Sequence, residues 1–141
     1  MVREGGPKDE EAVMALWLAA NRQAHAFIEA EYWERCFDAV RRMLPRAEMY
    51  IDEKDGELTG FIGLAGTYIE GLFVKEAARS QGVGKQLLDF VKTRKPYLTL
   101  KAYQKNSRAL HFYMREGFAL KEKGIDRETG EPEYLMEWRP G

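Results

Sequence analysis

Cysteine is almost absent. Cys36 stands alone in 141 residues, so no internal disulfide forms and no zinc site of Cys/His spacing can be built around it. On its helical pattern it reads as a small apolar residue. Histidine is nearly as scarce: His25 and His111 lie far apart, with no third ligand type beside either, and no metal is expected. Charge of one sign is lacking too. With 22 Lys+Arg against 23 Asp+Glu the net charge is -1, which leaves no global field to attract nucleic acid or an anionic membrane. No stretch approaches the roughly 18 apolar residues of a membrane span. The N-terminal Met1 to Glu11 segment is charged, without the apolar centre of a secretory leader. A soluble, intracellular, cytoplasmic protein is the expectation.

What is present is an ordinary globular balance, 45% hydrophobic and 32% charged, at a length that suits a single domain over residues 1–141. Repeats, low-complexity tracts and dividing linkers are missing. Met1-Val2-Arg3 reads as an edge strand broken by Gly5-Gly6-Pro7. Ala12, Val13, Leu16, Trp17 and Ala20 follow at helical spacing, predicting a helix that ends near Asn21 to Gln23. After a connection over Ala24 to Ala30, a second helix is expected over Glu31 to Leu44, stopped by Pro45.

The pattern then changes to strands: Glu48 to Asp52, a hairpin turn at Lys54-Asp55-Gly56-Glu57, Leu58 to Leu64, and Tyr68 to Val74. The last is the most continuously apolar and reads as central. A helix from Gly82 to about Thr93, a strand from Tyr97 to Ala102 and a helix from Ser107 to Glu116 follow. Strands at Phe118 to Ile125 and Tyr134 to Trp138 close the chain. The strand–helix–strand around residues 68–102 demands a parallel pair, and the hairpins demand antiparallel neighbours. An α/β fold with a mixed sheet flanked by helices results.

The chemistry-bearing stretch is Arg79-Ser80-Gln81-Gly82-Val83-Gly84-Lys85, between a strand and a helix. Its glycines allow a tight turn and close approach of backbone to a ligand, and the helix N-terminus that follows suits an anion, phosphate by default. A Walker A loop fails, because Arg79 stands where its first Gly belongs and Gln86 where its Ser or Thr belongs. A dinucleotide fingerprint fails at Leu87, the place of its third Gly. The pattern R-x-x-G-x-G fits without a gap. It resembles the pyrophosphate loop of the GCN5-related N-acetyltransferase (GNAT) superfamily. One strand later, the run from Asn106 to Phe118 resembles that superfamily's N-x-x-A-x-x-F-Y-x-x-x-G-F helix and following strand. Ala24 to Trp33 and Gly71-Leu72-Phe73-Val74 are similar to its small bacterial members, which act on peptidyl lysine or amines generally.

The resemblance covers essentially the whole chain. It implies a central, mostly antiparallel sheet with a splayed parallel pair in its middle, about four flanking helices, and acetyl transfer from acetyl-CoA to a primary amine. Acetyl-CoA and an amine acceptor (a protein lysine or a small molecule) are the implied partners, for a monomer or homodimer. A catalytically silent CoA-binding module is the alternative.

By that resemblance Leu72, Phe73 and Val74 pair with the pantetheine arm, and Gly71 marks a bulge that frees N–H groups. Residues Arg79, Ser80, Gln81, Gly82, Val83, Gly84 and Lys85 hold the pyrophosphate, mainly through main-chain donors. Asn106 binds the arm or serves as a plain N-cap. Ala109 and Phe112 share its helix face, Phe112 with a core-facing reading as well. Tyr113, at the rim of that face, is the general acid to the thiolate, a phenol of pKa about 10 being close enough to a thiol. Glu70, a carboxylate within an otherwise apolar strand, is the leading general base, directly or through water; the alternative is a solvent-facing Glu70 with a water chain in its place. His25, Phe27, Tyr32 and Tyr68 are expected to line the acceptor site, with His25 open as substrate binder, proton acceptor or structural residue, while Trp33 reads as core. Glu29, Glu31 and Asp126 hint at a cationic acceptor.

Overall fold

The computed structural model describes residues 1–141. Seven strands form one sheet in the order β1-β2-β3-β4-β5-β7-β6. β1 is Val2–Glu4, β2 Glu48–Lys54, β3 Glu57–Ala65, β4 Tyr68–Val74, β5 Leu98–Tyr103, β6 Ala119–Ile125 and β7 Pro132–Trp138. Four α-helices flank it: α1 Glu10–Ala24, α2 Ala30–Met43, α3 Val83–Lys92 and α4 Ser107–Arg115. No helix is long and apolar enough to cross a membrane.

Element boundaries follow local chemistry. Pro7 opens a 3-10 turn ahead of α1, and Pro45 sits in another that ends α2. The β2–β3 hairpin is tighter than expected, since both strands run further and leave only Asp55 and Gly56 in the turn. Their φ values of 55 and 80 give the twist that a two-residue hairpin requires. β7 lies between β5 and β6, a placement that no local pattern announces.

The sheet divides two apolar cores. On one face α3 and α4 bring Leu87, Leu88, Val91 and Leu110 onto Ile62, Leu64, Leu98 and Met136. On the other, Val13, Leu16 and Ala20 of α1 cover Met49, Ile51 and Phe61. The N-terminus is tied down by Arg3, whose guanidinium donates to both oxygens of buried Asp9 at 2.8 and 2.9 Å and to Glu53. That bidentate pair holds the Asp9 carboxyl below its ordinary range.

All pairs are antiparallel except β4 with β5, and that pair touches at one register position, Tyr68 with Thr99. Beyond it the two strands splay. Central β4 is therefore half-buried along Gly71 to Val74 rather than sealed, because its β5 side opens on a cavity.

Candidate active site

The splay creates a cleft of about 500 Å³ through the middle of the sheet. One wall is β4, with Tyr68, Glu70, Gly71, Leu72 and Phe73; the other is β5, with Lys101, Ala102 and Tyr103. Asn106, Ala109 and Tyr113 of α4 enter from the side of the larger core, and Trp17, Asn21 and His25 from the end of α1. Past Tyr68 the backbone groups of β4 that point away from β3 have no strand partner, so alternate N–H and C=O groups face the opening.

The bulge expected at Gly71 is present one residue earlier. Ile69 pairs with Leu64 and Gly71 with Gly63, which leaves Glu70 without a partner on β3. The extra residue also bears on the two readings of Glu70. It is exposed on the cleft wall, because a bulged residue belongs to neither ladder position.

The Gly loop forms a concavity of donors. Ser80 and Gly82 have φ values of 65 and 80, and Gly82 is the left-handed N-cap of α3. The first helical bond is that of Gln86 N–H to the Gly82 carbonyl, and no N–H from Ser80 to Lys85 finds a backbone acceptor. Successive unpaired N–H groups at a helix N-terminus make an anion site without needing side chains. The side chains lead elsewhere: the Arg79 guanidinium donates to Gln23 at 2.8 Å, and the Lys85 ammonium pairs with Asp89 and Glu116.

Tyr113 is 8% exposed and so lies deeper than a rim position. Its ring packs on Phe112 and Phe118 at 5.2 and 5.3 Å, and burial alone pushes its hydroxyl well above the ordinary range. Phe112 is off the cleft. Its ring packs 3.3 Å from the point a side chain on Gly84 would occupy, so it supports the first turn of α3. Asn106 does cap α4: its Oδ1 accepts from Ala109 N–H at 3.2 Å.

The acceptor-side residues divide. His25, Tyr32 and Tyr68 line the cleft. Phe27 does not, because its ring turns behind His25 and onto Tyr103. Trp33 is 7% exposed, as a core residue should be, yet it also forms cleft wall with an indole N–H that has no partner. Of the three acidic hints, Asp126 lines the cleft, while Glu29 and Glu31 are exposed outside it, Glu29 paired with Arg35.

Pattern reading missed Asn21, Lys101, Tyr103, Glu128 and Glu133, all of which face the cleft. Asn21 precedes His25 by one helical turn, a legible signal. Tyr103 and Glu133 meet only through the β5–β7 register. Tyr103 donates to Asp126 and Tyr32 to Glu128, each at 2.5 Å, so two phenols fix two carboxylates at the mouth. Burial raises the Glu133 carboxyl above its usual range against the pull of Lys101.

The family model described as "Acetyltransferase (GNAT) domain" matches residues 45–120. The chain is 36% identical over 140 residues to peptidyl-lysine N-acetyltransferase YiaC of Escherichia coli K12, covering 98% of this chain and 96% of that protein.

The chain belongs to the GNAT acetyltransferase family.

The solution structure of YjaB from Escherichia coli in its apo form superposes on this GNAT protein with a TM-score of 0.87 at 26% identity, covering 100% and 98% of the two chains. The fold extends to yncA from Salmonella typhimurium, solved with acetyl-CoA, at a TM-score of 0.68 and 15% identity over 99% and 92% of the two chains. The protein is thus an acyltransferase, and its mixed sheet holds one parallel pair.

Proposed function

We propose that the chain, as a single domain, transfers the acetyl group of acetyl-CoA to a primary amine, foremost the side chain of a protein lysine. The observation that carries this reading is the conjunction of a donor concavity at Ser80–Lys85, on the chain that leaves β4, with a cleft along unpaired β4 that reaches buried Tyr113. It suits a ligand with a pyrophosphate at one end and a narrow arm at the other. The YiaC relative is a peptidyl-lysine N-acetyltransferase and the yncA neighbour was solved with acetyl-CoA, and both fit the same ligand pair.

Acetyl-CoA supplies the activated thioester. The chain's residues supply position and charge. N–H groups of Ser80 to Lys85 hold phosphate oxygens, with Arg79 able to add charge once released from Gln23. The outward backbone groups of Leu72, Phe73 and Val74 pair with the arm, beside Asn106 and Ala109, while Phe112 acts only by packing. An N–H freed at the bulge stabilises negative charge on the thioester oxygen as the amine attacks. Tyr113 gives its proton to the departing thiolate, which emerges in the same apolar slot, where burial raises the thiol as it raises the phenol and keeps the two within reach of proton transfer. Glu70 takes the proton of the amine, directly or through water. Four carboxylates, those of Glu70, Asp126, Glu128 and Glu133, against the single cation of Lys101 attract a cationic acceptor to the mouth.

Thermal unfolding with acetyl-CoA, ATP and NAD tests the ligand. At about 100 times its Kd, acetyl-CoA adds roughly 2.7 kcal/mol of stability. A rise in Tm with acetyl-CoA and none with ATP or NAD is expected, and the reverse pattern would overturn the reading.

A further inference from the structure

We propose that His25 is a positioning residue that locks Asn106, and through it α4, against the end of α1 across the cleft, and that it takes no part in proton transfer. This rests on the acetyltransferase reading of the cleft, but its structural half stands on hydrogen bonds alone.

Both ring nitrogens of His25 are engaged. Nδ1 lies 3.1 Å from Asn21 Oδ1, and Nε2 lies 3.1 Å from Asn106 Nδ2. Each amide is oriented by the backbone. Asn21 Nδ2 donates to the Trp17 carbonyl at 2.9 Å, which turns its oxygen toward His25. Asn106 Oδ1 accepts from Ala109 N–H, which turns its amino group toward His25. Two independent anchors therefore select one tautomer: Nδ1 carries the proton and donates, and Nε2 is bare and accepts.

A base in this position would have to gain a proton at Nε2, where it would meet the Asn106 amino group. The surroundings offer nothing to offset that. The ring is enclosed by Trp33, Phe27 and Tyr103 with centroids 5.0 to 5.7 Å away, and Tyr103 spends its hydroxyl on Asp126. What the arrangement does is mechanical. The α1 helix packs on one face of the sheet and α4 on the other, and they meet where β4 and β5 part. The clamp sets the N-terminus of the helix that carries Ala109 and Tyr113.

The test separates the two nitrogens. His25→Gln keeps an acceptor for Asn106, whereas His25→Asn reaches only toward Asn21. With acetyl-CoA and a lysine peptide, H25A and H25N are expected to lower kcat/KM roughly tenfold, the effect of one orphaned buried polar group. H25Q restores most of it, and H25A combined with N106A costs no more than either alone. Nitrogen-15 spectra of His25 show Nδ1 protonated and Nε2 bare across neutral pH. An Nε2–H tautomer, additive losses, or an H25Q variant as slow as H25A would overturn the proposal. If the wild type transferred no acetyl group, the functional reading would fail and the tautomer would still decide the clamp.

Discussion

Asn106 reaches across 81 positions of sequence to donate its Nδ2 to His25 Nε2 at 3.1 Å. The bond joins the cap of α4 to the last turn of α1 and commits the imidazole to the neutral form. Burial lowers the His25 pKa from 6.5 to about 4, in line with a ring that has no room for a second proton.

That shift makes stability depend on pH with a definite sign. Between the folded value and the unfolded value near 6.5, the unfolded chain binds the extra proton and the folded one does not. The contribution is full above the unfolded value and is lost as pH falls through it toward 4, amounting to about 3 kcal/mol at most. The stability difference between wild type and H25Q, from urea melts, narrows as pH falls from about 7 to about 5. A difference independent of pH would contradict the neutral clamp.

Tyr113→Phe removes the proposed proton donor while keeping the ring packed on Phe112 and Phe118. A loss in kcat of roughly 10²–10⁴ is expected, with KM for acetyl-CoA little changed. Steady-state kinetics decides it, and an equal fall in affinity would point to a binding role.

Glu70→Gln is expected to lower kcat by a similar roughly 10²–10⁴ factor without altering Tm, since the side chain is exposed at the bulge. Unchanged turnover would move the base to water or to Glu133.

Gly82→Ala forces a side chain onto a φ of 80, costing about 1 kcal/mol and disturbing the donor concavity. Titration of acetyl-CoA by calorimetry should show affinity falling roughly tenfold. An unaltered affinity would mean that phosphate is held elsewhere.

Much of this was legible in the sequence, and the illegible parts share a cause. Helices and strands followed from period and from Gly and Pro punctuation, to within a few residues at their ends. The Gly loop and the Asn106 helix announced themselves because their chemistry is local: an N-cap, a left-handed Gly and unpaired N–H groups need only neighbours in sequence. The bulge was readable from Gly71, one residue off. What local pattern could not carry was register. Glu133 meets Tyr103 only because β7 inserts beside β5, and Phe27 leaves the cleft only because His25 stands in front of it. The exposure of Glu70 depends on a mismatch with β3. Trp33 was legible as buried, but not as the wall of a cavity, since both demand the same apolar helix face.

Acetyl transfer itself is the most direct test. The protein is mixed with acetyl-CoA and a lysine peptide, free thiol is followed in real time, and the peptide is weighed by mass spectrometry. Thiol release matched by one acetyl group on the lysine side chain is expected, both abolished or nearly so in Y113F. Thiol release without an acetylated amine, or an undiminished rate in Y113F, would contradict the proposed transfer.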